Sequence, residues 1–496
     1  MTLKRNIVAN YISQLYVALV GILILPLYIK HMGAEAYGLI GFYAMLQSWF
    51  ALLDLGLTPT IGRETARLRA GATTPLQFRQ LFRSLSMIFI FIAMSAGGGL
   101  FLAAEYLSVH WLRFGLLSKD EVLLAVQIIA VCVALRWLGG LYRGVISGAE
   151  KQIWLSSFNC LIATLRFIAV FFSMWVYGFN AAVFFVHQFF VAVIELFGLL
   201  LMGRKFLPRV DQIIGWSLKP ASKSLIFSLS IAFTSSVWVM VTQTDKMILS
   251  GLLSLSEYGH FSLAVLVASG ILVLNGPVSS AVMPRLASLH ASNDREQLIQ
   301  LYRNATRFVA VITGPASVTL ALCSKPLLEI WTGDASLAAE SFFILSLYAL
   351  GNCFLVMAAF PYYLQYARGN MTYHLIGNVI ALILLVPSLV LSAKYFGGVG
   401  AGYAWLTINM FFALIWVTYV HSRLEKGLHW VWLKKDWMSI FIPSSMAACA
   451  IWAIMSFEYG VVVTLLQISI IAFASLFVAL VSSGFLNAFI RFIVKR

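Results

Sequence analysis

Charge is what this chain has least of. Only 11% of its residues are charged, and Asp and Glu together number 19, whereas soluble domains carry roughly 25% charged residues. Carboxylates so few and scattered form no pair spaced for a glycosyl-transfer centre. No GxxxxGK[ST] loop is present, which excludes a P-loop ATPase, and no HExxH or CxxC…CxxC spacing signals a metal site. No cofactor is expected. All five cysteines, Cys132, Cys160, Cys323, Cys353 and Cys449, fall inside apolar stretches, so no disulfide is expected either. What remains is apolar: hydrophobic residues make up 61% of 496, and such a chain belongs in a bilayer.

Apolar runs of about 20 residues are read at 7–29, 38–58, 84–104, 121–142, 152–177, 180–202, 224–248, 258–282, 307–324, 339–360, 372–393, 399–420, 438–457 and 460–482. The runs are continuous rather than alternating, which points to helices, whose backbone hydrogen bonds close within the segment, and not to a barrel. The first run follows only Lys4 and Arg5 and lacks a small-residue cleavage site, so it reads as a spanning helix. The expectation is an all-α polytopic membrane protein of about fourteen transmembrane helices. Pro26, Pro277 and Pro387 are positioned to kink their spans.

The chain also repeats itself. Tyr37-Gly38 matches Tyr258-Gly259 and Gly148 matches Gly369 at an offset of 221, while Arg63 matches Arg285 at 222. A near-constant offset implies a tandem duplication of six-helix units in the same orientation. It divides the chain into a first lobe over 1–208, a basic linker over 209–223, a second lobe over 224–424 and a further helix pair with a basic tail over 436–496. Parallel repeats related by an axis along the membrane normal are a transporter architecture with its site between the halves.

Orientation follows from the cations. Twenty-six Lys and Arg fall on the side of the N-terminus, and only Lys30, Arg113, Lys119, Lys325 and Lys394 on the other. Both termini are expected in the cytoplasm. The net charge of +15 is then mostly topology, with attraction to anionic headgroups as a further role and no nucleic acid as partner. The stretches 63–83 and 285–303, with apolar residues between their charges, read as interfacial amphipathic helices. Outer loops are short and leave no room for a folded catalytic domain.

Three cations remain inside spans: Arg136, Arg166 and Lys246. Arg166 is the deepest, roughly 21 Å along its helix at 1.5 Å per residue, and it shares a stripe of small and polar residues with Ser156, Asn159, Ala163 and Ser173. Charges at such depth mark a pathway or an ion pair. Arg166 is thus either an anion ligand in an aqueous cavity or the partner of Glu195, and Arg136 competes for that carboxylate. His187 lies near the depth of Arg166 as a packing residue or a proton-coupling one. The first helix of each repeat carries a polar stripe, Asn6, Asn10, Ser13 and Gln14 in one and Ser228, Ser235, Trp238, Thr242 and Asp245 in the other. Helix packing and a cavity lining explain the stripes equally. Asp54 reads as a cap or as a partner of Arg63.

The hairpin with its loop Gly33-Ala34-Glu35-Ala36-Tyr37-Gly38, the run Leu53-Asp54-Leu55-Gly56-Leu57, Arg63, and Asp245 followed by Glu257-Tyr258-Gly259 resembles the polysaccharide exporters often called O-antigen flippases, of the multidrug/oligosaccharidyl-lipid/polysaccharide exporter superfamily. The resemblance implies two six-helix lobes around a cationic central cavity in a bacterial inner membrane. The implied cargo is an undecaprenyl-pyrophosphate-linked oligosaccharide moved by alternating access, with other polysaccharide-assembly membrane proteins as partners. Arg166 and Arg136 are the candidate pyrophosphate ligands. Asn10, Gln14, Asn159, Ser235, Trp238 and Thr242 are the candidate cavity lining, and Asp245, His187 and Glu195 the candidates for coupling to H+ or Na+. A lipid II flippase or a drug or cation exporter of the same fold is the alternative.

Overall fold

The computed structural model describes residues 2–210, 212, 219–457 and 460–485, without the side chains of 2–4, 6–8, 219–235 and 280. Asn6, Ser228, Ser235 and most of the linker read over 209–223 therefore lie outside the described residues. Apart from one isolated bridge between Arg113 and Ser254, every regular element described is helical. In chain order these are α1 (Thr2–Leu23), α2 (Leu25–Phe50), α3 (Leu57–Arg69), α4 (Pro75–Leu102), α5 (Lys119–Gly148), α6 (Gln152–Tyr177), α7 (Ala181–Arg204), α8 (Lys219–Leu252), α9 (Leu255–Ala291), α10 (Arg295–Leu322), α11 (Ser324–Thr332), α12 (Ala335–Ala367), α13 (Thr372–Leu424), α14 (Leu428–Ile454) and α15 (Val461–Ser483).

Eleven helices among the described residues are long and apolar enough to cross a bilayer, against the fourteen expected. The difference has three sources. The apolar part of α1 is only Ala9–Leu23, α8 is described only in part, and α13 counts once although Gly397, at φ 56° and ψ −138°, breaks its helical path.

Several boundaries differ from those expected. Pro26 does not kink a span; it stands in the first turn of α2, where its missing N–H leaves no bond unmade. The span expected to end at 58 ends at Asp54. Leu55 and Gly56 are left-handed, and α3 starts anew beyond them. Asp54 caps that start by accepting from the Thr58 amide at 3.2 Å and the Thr58 hydroxyl at 2.5 Å. Separate interfacial helices over 63–83 and 285–303 do not form. A capping box between Thr74 and Gln77 opens α4 directly, so Phe78 and Leu81 are already core of a spanning helix. Residues 285–291 extend α9, and 295–303 are the first turns of α10.

By packing, the chain forms two compact units, Met1–Gly259 and His260–Arg496. In the first, α5 lies against α3 and α7. Close approach to α3 depends on glycine, since a Cβ on Gly148 would stand 2.1 Å from the Gly62 carbonyl oxygen. The duplicated loops meet reciprocally within this unit. A Cβ on Gly38 would stand 2.1 Å from the Leu255 oxygen, and one on Gly259 2.5 Å from the Ala34 oxygen. Gly38 and Gly259, like Ala34 and Leu255, are 221 residues apart, so the contact has the two-fold character a tandem duplication produces. In the second unit α10 is central, packed against α12, α14 and α15 around Tyr302, Phe360, Trp432 and Trp437.

Candidate functional site: an arginine cluster in the first unit

The charged residues within the spans of the first unit converge from three helices. Arg136 and Arg143 stand seven residues apart on α5 and so share a face. Glu195 comes from α7 and is 7% exposed. One of its oxygens accepts from Arg143 Nη2 at 2.5 Å, and the other lies 3.5 Å from Arg136 Nε. Arg143 also donates to the Asn159 side-chain oxygen on α6 at 2.6 Å. The open question about Glu195 is answered by these distances: it belongs to Arg143 and Arg136, and it makes no ion pair with Arg166.

Arg143 was read as a loop charge because the span seemed to end at 142. It is the residue sequence reasoning missed, and its heptad spacing from Arg136 is the signal that would have found it.

Arg136 is nearly enclosed, with its guanidinium carbon 5.6 Å from the centre of the Tyr43 ring. None of its three nitrogens makes a hydrogen bond in the protein, and neither does the buried Nε of Arg166. Arg166 contacts the Phe167 ring at 5.3 Å and has no ion pair among the described residues. Three guanidinium groups thus face one carboxylate. Buried donors left over in this way are where an anion or water is accommodated.

Arg166 sits in a π turn, Leu165–Ala169, inside α6. Such turns widen a helix and displace carbonyls from the regular ladder. Here three successive carbonyls each accept from a neighbouring side chain. His187 Nε2 reaches Leu165 O at 2.9 Å, Gln188 Nε2 reaches Arg166 O at 2.9 Å, and the Tyr28 hydroxyl reaches Phe167 O at 2.8 Å. A carbonyl only accepts, so His187 carries a proton on Nε2, and its Nδ1 pairs with the Ser173 hydroxyl at 2.8 Å. Both ring nitrogens of His187 are occupied in holding the turn that carries Arg166.

The remaining candidates divide. In the stripe of α1, Ser13 is a packing residue, buried and donating to Ser156 O at 3.0 Å, while Asn10 and Gln14 are exposed. On α8, Trp238 is exposed and Thr242 bonds back to the Trp238 carbonyl at 2.9 Å. Asp245 is buried, with one oxygen accepting the Lys246 amide at 2.7 Å. The arginine cluster does not include these α8 residues.

With that geometry in view, comparison with known proteins assigns the family. The pattern of the polysaccharide biosynthesis protein family matches residues 3–290, more than half of the chain. The chain belongs to that family. It is 22% identical over 430 residues to the "Putative O-antigen transporter" of Shigella flexneri, covering 86% of this chain and 99% of that one. Its fold is similar to that of the lipid II flippase MurJ in an inward closed conformation, with a TM-score of 0.73, 15% identity and coverage of 98% and 99%. An inward-facing multidrug resistance MATE transporter of the MOP superfamily is similar at a TM-score of 0.64 and 13% identity, over 84% of this chain and 95% of that one. These relatives are transporters and flippases, not enzymes. The protein is an integral membrane protein of polysaccharide biosynthesis with the fold of MOP-superfamily transporters.

Proposed function

We propose that the protein flips an undecaprenyl-pyrophosphate-linked oligosaccharide from the cytoplasmic to the periplasmic leaflet of a bacterial inner membrane by alternating access between its lobes. The observation that carries this reading is the surplus of guanidinium over carboxylate in the first unit: Arg136, Arg143 and Arg166 against Glu195. A cation within a span is costly unless a counter-charge arrives, and a pyrophosphate supplies it through charge-assisted forks. Arg166 is the main ligand because Glu195 does not engage it. Arg136 supports it, and Arg143 serves to hold Glu195 and Asn159. Exposed polar side chains on a spanning helix, such as Asn10 and Gln14, favour an aqueous lining beside them. With no nucleotide motif in the sequence, an ion gradient or the cargo's own gradient drives the cycle. Asp245 is the better coupling candidate, since His187 is committed on both nitrogens.

Lipid II, itself a polyprenyl-pyrophosphate, satisfies the same site, and the fold likeness to its flippase keeps it as the second reading. The deciding experiment places purified protein in liposomes carrying labelled polyprenyl-pyrophosphate oligosaccharide or lipid II and measures leaflet exchange without nucleotide. Exchange of the oligosaccharide in preference to lipid II supports the proposal. Equal inactivity toward both, with transport of an organic cation instead, refutes it.

A further inference from the structure

The second unit holds a different set of arginines. A cleft of about 760 Å³ opens at the start of α10, with Arg295, Arg303, Arg307 and Lys426 as its cations. Two carboxylates behind the wall fix how these side chains point. Asp436 is fully buried and takes Arg303 in a two-pronged contact, Nε to Oδ2 at 2.7 Å and Nη2 to Oδ1 at 3.0 Å, and also Arg307 Nε at 2.6 Å. Glu425, 7% exposed, accepts from Arg295 Nε at 2.6 Å and from Arg368 Nη2 at 2.6 Å.

These contacts use one edge of each guanidinium. Among the described residues, Nη1 of Arg295 and Arg303, both Nη groups of Arg307 and the Lys426 ammonium donate to no protein acceptor. The cleft lining carries four cations against Glu296 and Glu425, so positive charge is left over. An arginine whose orientation is already fixed loses little further freedom on meeting an anion.

Depth indicates which anion. Beyond Arg307 the apolar part of α10 is 308–322. Its fifteen residues reach about 22 Å at 1.5 Å each, less than the hydrocarbon thickness of about 30 Å. Arg303 and Arg307 therefore stand at the edge of the hydrocarbon, where lipid phosphates lie. Ile299, Leu428 and Val431 give the same cleft an apolar wall, which suits a glycerol backbone better than a free ion.

We propose that this cleft binds a phosphate group, and that its source is the headgroup of an anionic phospholipid in the leaflet on that side. The site shares no residue with the arginine cluster of the first unit, so it stands or falls separately from the transport reading.

The test uses the full-length protein in detergent, with phosphatidylglycerol or phosphatidylcholine added and retained lipid counted by native mass spectrometry. Wild type should hold phosphatidylglycerol about fivefold better than phosphatidylcholine, the scale of one charge-assisted contact. The double variant Gln300→Glu with Asn304→Asp adds two carboxylates to exposed positions of the wall and leaves the Asp436 and Glu425 contacts intact. It should unfold at the wild-type temperature in lipid-free detergent and lose the preference. A second variant, Arg295→Gln with Lys426→Gln, should do the same. Inorganic phosphate forms the other arm. If it raises the unfolding temperature of wild type alone and displaces phosphatidylglycerol, the phosphate site is supported and its source is soluble. Equal retention of both lipids by wild type and variants, with no effect of phosphate, overturns the proposal.

Discussion

Removing Arg143 and removing Arg166 should have opposite consequences, because one arginine has a carboxylate and the other does not. Arg143→Ala takes from Glu195 its 2.5 Å partner and leaves the carboxylate nearly buried with only Arg136 at 3.5 Å. Breaking a buried pair from one side costs about 3–5 kcal/mol. Here the Arg143 side chain is 29% exposed and Arg136 stays close, so the expected cost is about 2–3 kcal/mol. Arg166→Ala strands no carboxylate and loses only the packing of its stem, about 1 kcal/mol or less. Thermal unfolding of fluorescent fusions in detergent, alongside abundance in membranes, gives the stability order, with Arg143→Ala the least stable. Adding Glu195→Gln should rescue Arg143→Ala in stability and leave Arg166→Ala unchanged, with a coupling energy between Arg166 and Glu195 below about 0.5 kcal/mol. If instead Arg166→Ala is as unstable as Arg143→Ala, and Glu195→Gln restores both its abundance and its export, Arg166 is a structural ion-pair residue and the assignment fails.

Other consequences can be checked independently. Gln188→Leu removes the donor to the Arg166 carbonyl and should cost about 1–2 kcal/mol in the same unfolding assay, with Gln188→Glu no better because it cannot donate. Gly38→Ala and Gly259→Ala each drive a Cβ into a carbonyl oxygen, at 2.1 and 2.5 Å, and should each destabilise by about 2–3 kcal/mol; tolerance of both would mean the reciprocal contact does not form. Reporters fused after residues 71, 293 and 428 should read cytoplasmic and those after 115 and 333 periplasmic, and two adjacent reversals would refute the orientation given by the cation count.

The sequence showed the helices more clearly than their ends. Apolar runs marked the spans, but Leu55 and Gly56 entering the left-handed region, and Pro26 opening a helix instead of bending one, depend on the backbone path. Amphipathic stretches at 75–83 and 295–303 looked interfacial because charge and apolar residues alternate there; the structure spends their apolar faces on the core of spanning helices. Arg166 and Arg136 were visible as charges within apolar runs. The pairing of Glu195 was not, because it depends on how α5 is rotated against α7. Arg143 escaped because its span was ended one residue early. The π turn around Arg166 had no signal in the residue pattern, since Leu, Arg, Phe, Ile and Ala suit an ordinary helix as well.

The central claim is that a guanidinium at position 166 meets the pyrophosphate of the cargo, and leaflet exchange by reconstituted variants tests it most directly. Wild type should exchange the polyprenyl-pyrophosphate oligosaccharide without nucleotide. Arg166→Lys, keeping the charge without the fork, should retain part of the rate, while Arg166→Ala and Arg166→Glu should lose it with the protein still folded in the membrane. Wild-type exchange by folded Arg166→Glu would contradict the account.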